Sequence, residues 1–509
     1  MAAGLSTRAA RPALLGIALA LLLLVGASRP NAAQPDLAPA GWAPGPLLPV
    51  TLAPAAVTAV LWTAYVLGAL AVWLGLRERP AALRTWWVPA GLAALALLTA
   101  PFGSADHVNY LAYGRILDQG GDPWLVSPDR WAGGADPVTS RVEAPWTEEP
   151  SIYGPVATLL HGLAAAVGGA NLREGVWVWQ VLVVLAWLAV RALLRGTLPP
   201  DARGRVDVLW TLNPLVLGIA VLGAHVDVVA TALAVAVVAV AARWTGPGGA
   251  VVAGAVAGLA AGTKITYAVV LVGVLAGWWT LGREGRPARG RTRWLPPVRA
   301  VALLAGALLT AVPLHRWAGP HVFDQLDRSR EAVSLATPWR PLLEAARPAL
   351  GDATTRTLIG LGAAVVAVVL AWLLLRLCRP VPVARSAPRA LAPPALWVTA
   401  CLALAYALSA PYSLPWYDVL VWAALPAVLP GVVDLVALGR LAVMACAYVP
   451  GRVLGMTPTV ESVTLGFRRL VAPWLSLALW AVVIGLGVRR GSRPGSGPPR
   501  AGGRRTPTR

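Results

Sequence analysis

TLIGLGAAVVAVVLAWLLLR, residues 357–376, carries no charge before its last residue, Arg376. As a helix rising about 1.5 Å per residue it is about 30 Å long, the thickness of a bilayer's hydrocarbon core. Runs of this kind recur along the chain. They are read near 13–28, 51–76, 86–102, 175–194, 206–222, 226–243, 248–263, 265–281, 298–314, 357–376, 394–410, 418–438, 440–450 and 469–487. Of the 509 residues 57% are hydrophobic and only 13% charged, against about 25% charged in soluble domains. A soluble multidomain enzyme and a disordered chain are both excluded. The expectation is an all-α, polytopic membrane helix bundle of about 13–14 spans with long outer loops, occupying residues 1–487, with a disordered basic tail over 488–509.

The net charge of +20 owes its meaning to its distribution. Arg77, Arg79 and Arg84 share one loop. Arg191, Arg195, Arg203 and Arg205 flank another, Arg283 to Arg299 crowd a third, and Arg376, Arg379, Arg385 and Arg389 a fourth. The tail from Arg489 has seven arginines and no acid. The positive-inside rule puts all of these in the cytoplasm if the apolar stretch 154–169 is an interfacial or re-entrant helix on the outer face. Both termini are then cytoplasmic, in a multi-pass protein of the cell membrane. The arginines read as orientation signals that also attract anionic lipid, not as a nucleic-acid surface. The first apolar run follows Arg8 and Arg11 in the manner of a signal peptide; in a polytopic chain it reads as a retained span.

Acidic residues lie on the other side. The stretch 103–153 holds eight acids against Arg115, Arg130 and Arg141, and a second outer loop, about 315–355, holds His315, His321, Asp324, Asp327, Arg328, Arg330 and Glu331. Long polar loops on a compact bundle are usually functional, so the working face is expected outside. From Asp106 onward, Asp106, Asn109, Tyr110 and Tyr113 recur at helical spacing. A short helix at the membrane surface would present a carboxylate, an amide and phenols together. There Asp106 has two readings: a general base that deprotonates an acceptor hydroxyl as a lipid-linked group departs, or a cap of the helix it begins.

The series Asp106, Tyr110, Gly114-Arg115, Gly121-Asp-Pro-Trp124 and Tyr153-Gly-Pro155 resembles the actinobacterial polyprenol-phosphate-mannose-dependent α-1,6-mannosyltransferases, membrane glycosyltransferases of GT-C type. Asn213-Pro-Leu-Val-Leu217, Gly223-Ala-His-Val-Asp227, Lys264 and Pro415-Trp-Tyr417 are similar to later segments of that family. The chain departs from its pattern in reading His225-Val226-Asp227 where the family has His-Asn-Asp, and in Trp124 where Tyr is commoner. The resemblance implies a GT-C fold, a polyprenyl-phosphate sugar donor, a glycan or glycolipid acceptor and no obligatory metal or nucleotide sugar, with Asp106 as general base.

Lys264 is the only lysine in the chain. A lone ammonium between two apolar runs is costly and suits a phosphate as a point charge; the alternative is a lysine snorkelling at a helix end. His225 and Asp227 fall at a turn on the same face, where His225 could donate to phosphate or sugar and Asp227 could bind sugar hydroxyls or orient His225, unless both are helix contacts. Tyr412, Trp416, Tyr417 and Asp418 mark another outer boundary, as an interfacial belt or a stacking platform for sugar or prenyl chain. Tyr153 completes the set of binding candidates. The five histidines are scattered without ligand spacing, and no P-loop or strand-linked GxGxxG is present. Cys378, Cys401 and Cys446 read as small buried hydrophobes. Sugar transfer, with mannose the expected sugar and inversion at its anomeric carbon, is the leading function. The alternative is a transporter or lipid flippase, whose inverted repeats are not evident.

Overall fold

A computed structural model describes residues 7–37, 39–283, 295–324, 332–384, 386–387 and 389–491. In chain order the helices are α1 (Thr7–Ala27), α2 (Pro54–Glu78), α3 (Trp87–Leu97), α4 (Asp106–Asp118), α5 (Pro155–Gly168), α6 (Leu172–Thr197), α7 (Pro200–Thr211), α8 (Pro214–Val221), α9 (Val226–Arg243) and α10 (Pro247–Thr263). They continue with α11 (Val269–Arg283), α12 (Leu295–Ala318), α13 (Trp339–Leu350), α14 (Asp352–Leu377), α15 (Ala392–Ser409), α16 (Val419–Ala424), α17 (Val432–Ala447) and α18 (Pro458–Arg489). Among the described residues β-structure is confined to two isolated bridges. The bundle is all-α and polytopic, as expected.

Nine described helices are long and apolar enough to cross a membrane, or ten when the bent pair α7–α8 is taken as one span. That is fewer than the 13–14 expected, and the shortfall has local causes. α7 and α8 are bent by 41° because Pro214 starts a new helix whose first amides are accepted by the side chain of Asn213, at 3.0 Å from Leu215 N and 3.4 Å from Val216 N. The expected span 418–438 is no single helix. α16 ends at Ala424, a 3-10 turn follows over Leu425–Ala427, and α17 begins only at Val432. Pro426 lacks an N–H, and Pro430-Gly431 is a breaker pair. The expected segment 440–450 is the second half of α17. α3 has 11 residues, α5 has 14 and α10 has 17, so the first two fall well short of 30 Å at 1.5 Å per residue. α5 lies against α4 and α6, with Leu159, Leu163 and Val167 exposed on its other side.

Indole N–H groups bond carbonyls inside the apolar core. Trp179 donates to Ala224 O at 2.7 Å, Trp210 to Trp187 O at 3.0 Å, and Trp339 to Ser409 O at 2.7 Å. Those of Ala224 and Ser409 lie at the ends of turns and helices, where carbonyls lack intrahelical partners. Several arginines read as loop charges also hold the fold together. Arg191, 1% exposed, and Arg195 close on Asp207 at 3.2 and 2.6 Å, and Arg205 clamps Asp434 at 2.8 Å, tying α6 to α7 and α7 to α17. At the opposite end Arg452 holds three loops together. It pairs with Glu143 and donates to the carbonyls of Asn31 at 2.9 Å and Gln34 at 2.7 Å. Cys378 and Cys401 are buried free thiols with sulfurs 3.5 Å apart, and Cys446 is free and half-buried. Arg328, Arg330, most of the third basic loop and the tail from residue 492 lie outside the described residues.

Candidate active site

α4 starts where the chain leaves α3, and it is not the surface helix its spacing suggested. Nine of its thirteen residues are buried, because α5 packs along it and the loop 119–153 folds over it. Tyr113 donates to Glu149 O at 2.9 Å, and Trp124 to Tyr153 O at 2.8 Å, pinning that loop. The helical face is therefore split. Asp106, Asn109 and Tyr113 open onto a cavity of about 540 Å³, while Tyr110 turns inward with no exposure. Its ring stacks on His161 at 4.7 Å and meets Tyr153 edge-on at 4.9 Å.

Asp106 does not cap α4. The cap position is Ala105, with no side-chain bond to the helix, and the Asp106 amide donates to Ser104 Oγ at 3.2 Å. The carboxylate is left facing His225, with Oδ2 3.5 Å from Nδ1. His225 is buried and stacks on Trp416 with ring centres 3.7 Å apart. Ser104 Oγ lies 3.4 Å from its Nε2 and Tyr110 OH 3.4 Å from its Nδ1. Trp416 thus stacks on the imidazole and also lines the cavity. The neighbouring His107 is fully buried with neither ring nitrogen partnered. Burial, then repulsion from His225 and Arg452, pushes its pKa down to about 3.

Lys264 sits at the break between α10 and a 3-10 turn over Ile265–Ala268, in an extended conformation that turns it out of the helix. Its Nζ lies 2.8 Å from Asp227 Oδ1 and 3.9 Å from the centre of the Tyr417 ring. Tyr267 OH donates to the same carboxylate oxygen at 3.1 Å. Asp227 therefore faces Lys264, and the carboxylate beside His225 is Asp106. An ammonium has three donors. With one directed to Asp227 and the ion held over a ring, Lys264 keeps donor capacity for the cavity it lines. Gly154 permits this closeness of loop and helix: a Cβ there would lie 2.3 Å from the carbonyl oxygen of Gly262, two residues before the lysine.

Of the residues singled out from sequence, Asp106, Asn109, Tyr153, Lys264, Trp416 and Tyr417 share the one cavity; Tyr110, His225 and Asp227 stand directly behind it. Lys264 is the only Lys or Arg among the described lining residues. Arg340 pairs with Glu344 at 2.7 Å on α13 and does not line it. Sequence reasoning missed Trp146, Thr266, Phe323 and Tyr406, and gave no role to His315, whose Nδ1 lies 2.8 Å from Ala311 O one turn back on α12. It also missed the apolar wall. Gly360, Ala363, Ala364 and Ala367 line the cavity at helical spacing along one stripe of α14, while Leu361, Val365 and Val368 face outward. Lys264, Tyr406 and Tyr417 also line an adjoining apolar pocket of about 160 Å³ with Leu402, Ala403 and Leu420. Among the described residues no three His, Cys, Asp or Glu side chains gather as a metal site would require.

The architecture is thus a helical membrane bundle with an acid and an ammonium on one cavity walled by small apolar residues. Residues 13–281 match the family model described as alpha-(1->6)-mannopyranosyltransferase, N-terminal domain, and the chain belongs to that family. Alpha-(1->6)-mannopyranosyltransferase A of Mycobacterium tuberculosis is 30% identical over 221 residues, 40% of each chain. Alpha-(1->6)-mannopyranosyltransferase B of Corynebacterium glutamicum is 27% identical over 126 residues, 24% of this chain and 20% of its own. The matches thus span less than half the length of these relatives. No solved structure matches the chain. The matched region contains Asp106, His225, Asp227 and Lys264, whereas the α14 wall, Trp416 and Tyr417 lie beyond it.

Proposed function

We propose that this protein transfers mannose from a polyprenyl-phosphate donor to a hydroxyl of a glycan or lipid-linked acceptor, on the face of the membrane opposite its arginine-rich loops. The observation that carries the reading is the shared cavity of Asp106 and Lys264, bounded by the small-residue stripe of α14. The acid and the ammonium serve the two ends of a displacement, and the apolar wall suits the first isoprene units of a lipid carrier. The names of the relatives support mannose as the sugar.

In this reading the acceptor hydroxyl gives its proton to the Asp106 carboxylate as its oxygen attacks the anomeric carbon. The bond from that carbon to the phosphate oxygen breaks, and polyprenyl phosphate leaves with the electron pair. Attack and departure on opposite sides invert the anomeric centre. Lys264, oriented by Asp227 and Tyr417, stabilises the negative charge gathering on the phosphate. His225 stands behind Asp106 and fixes its orientation, and Tyr153 and Trp416 border the sugar.

Proteoliposomes holding the full chain, a polyprenyl-phosphate mannose and a mannosyl acceptor test this directly. A new glycosidic product is expected from wild type and not from Asp106→Asn. Movement of the lipid-linked sugar between leaflets with no product would overturn the transferase reading in favour of a flippase. Equal product from Asp106→Asn would remove the base from Asp106.

A further inference from the structure

Helices that line or back the candidate active cavity carry a second cavity at their far ends. α9 carries Asp227, the partner of Lys264, near one end and Arg243 at the other, and α12 carries Arg299 and His315 towards its two ends. Each interval is sixteen residues, about 24 Å of helix. α15 likewise places Ser409 on the active cavity, and Leu391, just before its first residue, lines the other. The two cavities therefore lie on opposite sides of a hydrocarbon core roughly 30 Å thick.

The second cavity has a volume of about 390 Å³, within the range of small-ligand sites, roughly 300–1,000 Å³. Three arginines, Arg243, Arg299 and Arg389, line it, and no acid is among its described lining residues. None of the three has an ion pair among the described residues. Arg299 Nε is buried without a hydrogen-bond partner. Arg389 is held in the turn that begins α15, where its carbonyl accepts from Ala392 N at 3.0 Å. Arg191, Arg195 and Arg205, at the same end, differ in having carboxylate partners. Trp278 contributes an aromatic wall, and the exposed Trp244 and Trp279 flank it as interfacial anchors.

Three arginines without an ion pair among the described residues, lining one cavity at a membrane surface, match a phosphate anion, which takes bidentate bonds from arginine. We propose that this cavity binds a phosphate-bearing anion on the face opposite the active cavity. Its two possible sources are the headgroup of an anionic phospholipid and a soluble phosphate compound, and the aromatic and apolar rim favours the lipid. The site is independent of the catalytic reading. A bound headgroup would cross-link the ends of α9, α11, α12 and α15, of which α9 carries Asp227, the partner of Lys264, and α15 lines the candidate active cavity and the apolar pocket beside it.

The full chain in neutral-detergent micelles is titrated with phosphatidylglycerol or phosphatidylcholine, and bound lipid is counted by native mass spectrometry. In a second arm, lipid-free protein receives inorganic pyrophosphate and its thermal unfolding is followed. Binding of phosphatidylglycerol over phosphatidylcholine identifies the lipid source, and a shift with pyrophosphate alone identifies the soluble one. Affinity in the positive arm is expected to weaken about fivefold for each arginine changed to glutamine among Arg243, Arg299 and Arg389. The triple lysine variant, which keeps the charges, should recover part of it and also controls for folding. Changing Arg77, Arg79 and Arg84 to glutamine removes the same charge away from the cavity and should have little effect. An equal loss in that control, or no binding in either arm, would overturn the proposal.

Discussion

Nδ1 of His225 lies 3.5 Å from Oδ2 of Asp106, and the same imidazole lies flat against Trp416, with ring centres 3.7 Å apart. Three segments remote in sequence thereby meet at one point: the start of α4, the turn before α9 and the Pro-Trp-Tyr turn before α16. Asp106 is backed by a ring that is itself stacked on Trp416, the arrangement that the proposed base role requires. His225 is 1% exposed and does not line the active cavity, so its expected role is positioning.

Asp106→Asn should lower kcat by about 10²–10⁴, the usual contribution of a general base, with little change in thermal unfolding. His225→Phe preserves the stack on Trp416 and removes the contacts of the ring nitrogens to the Asp106 carboxylate, Ser104 and Tyr110, so a drop of about tenfold in kcat at nearly constant acceptor KM is expected. Residues acting as a unit are not additive. The double variant should be no slower than Asp106→Asn, and a further tenfold loss in it would show that His225 acts apart from Asp106.

The ion pair of Lys264 and Asp227 separates stability from function. Asp227 is 1% exposed, and removing the partner of a buried charge costs about 3–5 kcal/mol. Lys264→Met should therefore lower the unfolding midpoint clearly, and Lys264→Met with Asp227→Asn should recover most of it, since an amide can still accept from Tyr267. Transfer should stay lost in both. Recovery of activity in the double variant, measured as product per folded protein, would make the lysine a structural residue only.

How much of this was legible beforehand follows from what each residue type signals. Asp106 stood in an acid-rich outer loop and Lys264 was the sole lysine, so composition alone drew attention to both. The segregation of charge also pointed to the end of the bundle that holds the candidate cavity. Helical spacing could not say that Tyr110 points away from Asp106 and Asn109, because α4 is packed on most sides and spacing ranks faces only when one side is wet. The α14 wall left no trace, since Gly360, Ala363, Ala364 and Ala367 are polar nowhere and sit in a span that is apolar all round. Arg191 and Arg205 looked like topological signals because their carboxylates, Asp207 and Asp434, come from other helices. The break before α17 was written as Pro430-Gly431 but was outweighed by the apolar residues around it.

Gly114 tests whether α4 must lie against α5. A Cβ at that position would meet His161 O at 2.2 Å, and backbone cannot yield as a side-chain tip would. Gly114→Ala should part the two helices, cost about 1–3 kcal/mol and loosen the stack of Tyr110 on His161. Trypsin should then cut faster at Arg115, Arg130 and Arg141 than in wild type. Unchanged cleavage with full activity would show that the contact is not needed to seat Asp106.

His107 should make the protein acid-labile in a definite window. Its folded pKa is pushed from 6.5 down to about 3, by burial first and then by repulsion from His225 and Arg452. Above pH 6.5 the ring is neutral in both folded and unfolded chains and contributes nothing to the difference. As pH falls below 6.5 the unfolded chain takes up a proton that the folded chain refuses, so stability declines down to about pH 3. Asp136 titrates lower. Burial alone would raise its carboxyl, but the amides of Thr139 and Val138 and the guanidinium of Arg115 outweigh it and hold it below 3.8. A comparison of pH 7 with pH 4.5 therefore isolates the histidine from that carboxylate. His107→Leu leaves no unmet hydrogen bond behind, because neither ring nitrogen has a partner. It should be at least as stable as wild type at pH 7 and lose less on acidification, read as the change in unfolding midpoint between the two pH values. An identical loss in both proteins would mean that His107 already takes up its proton in the folded state.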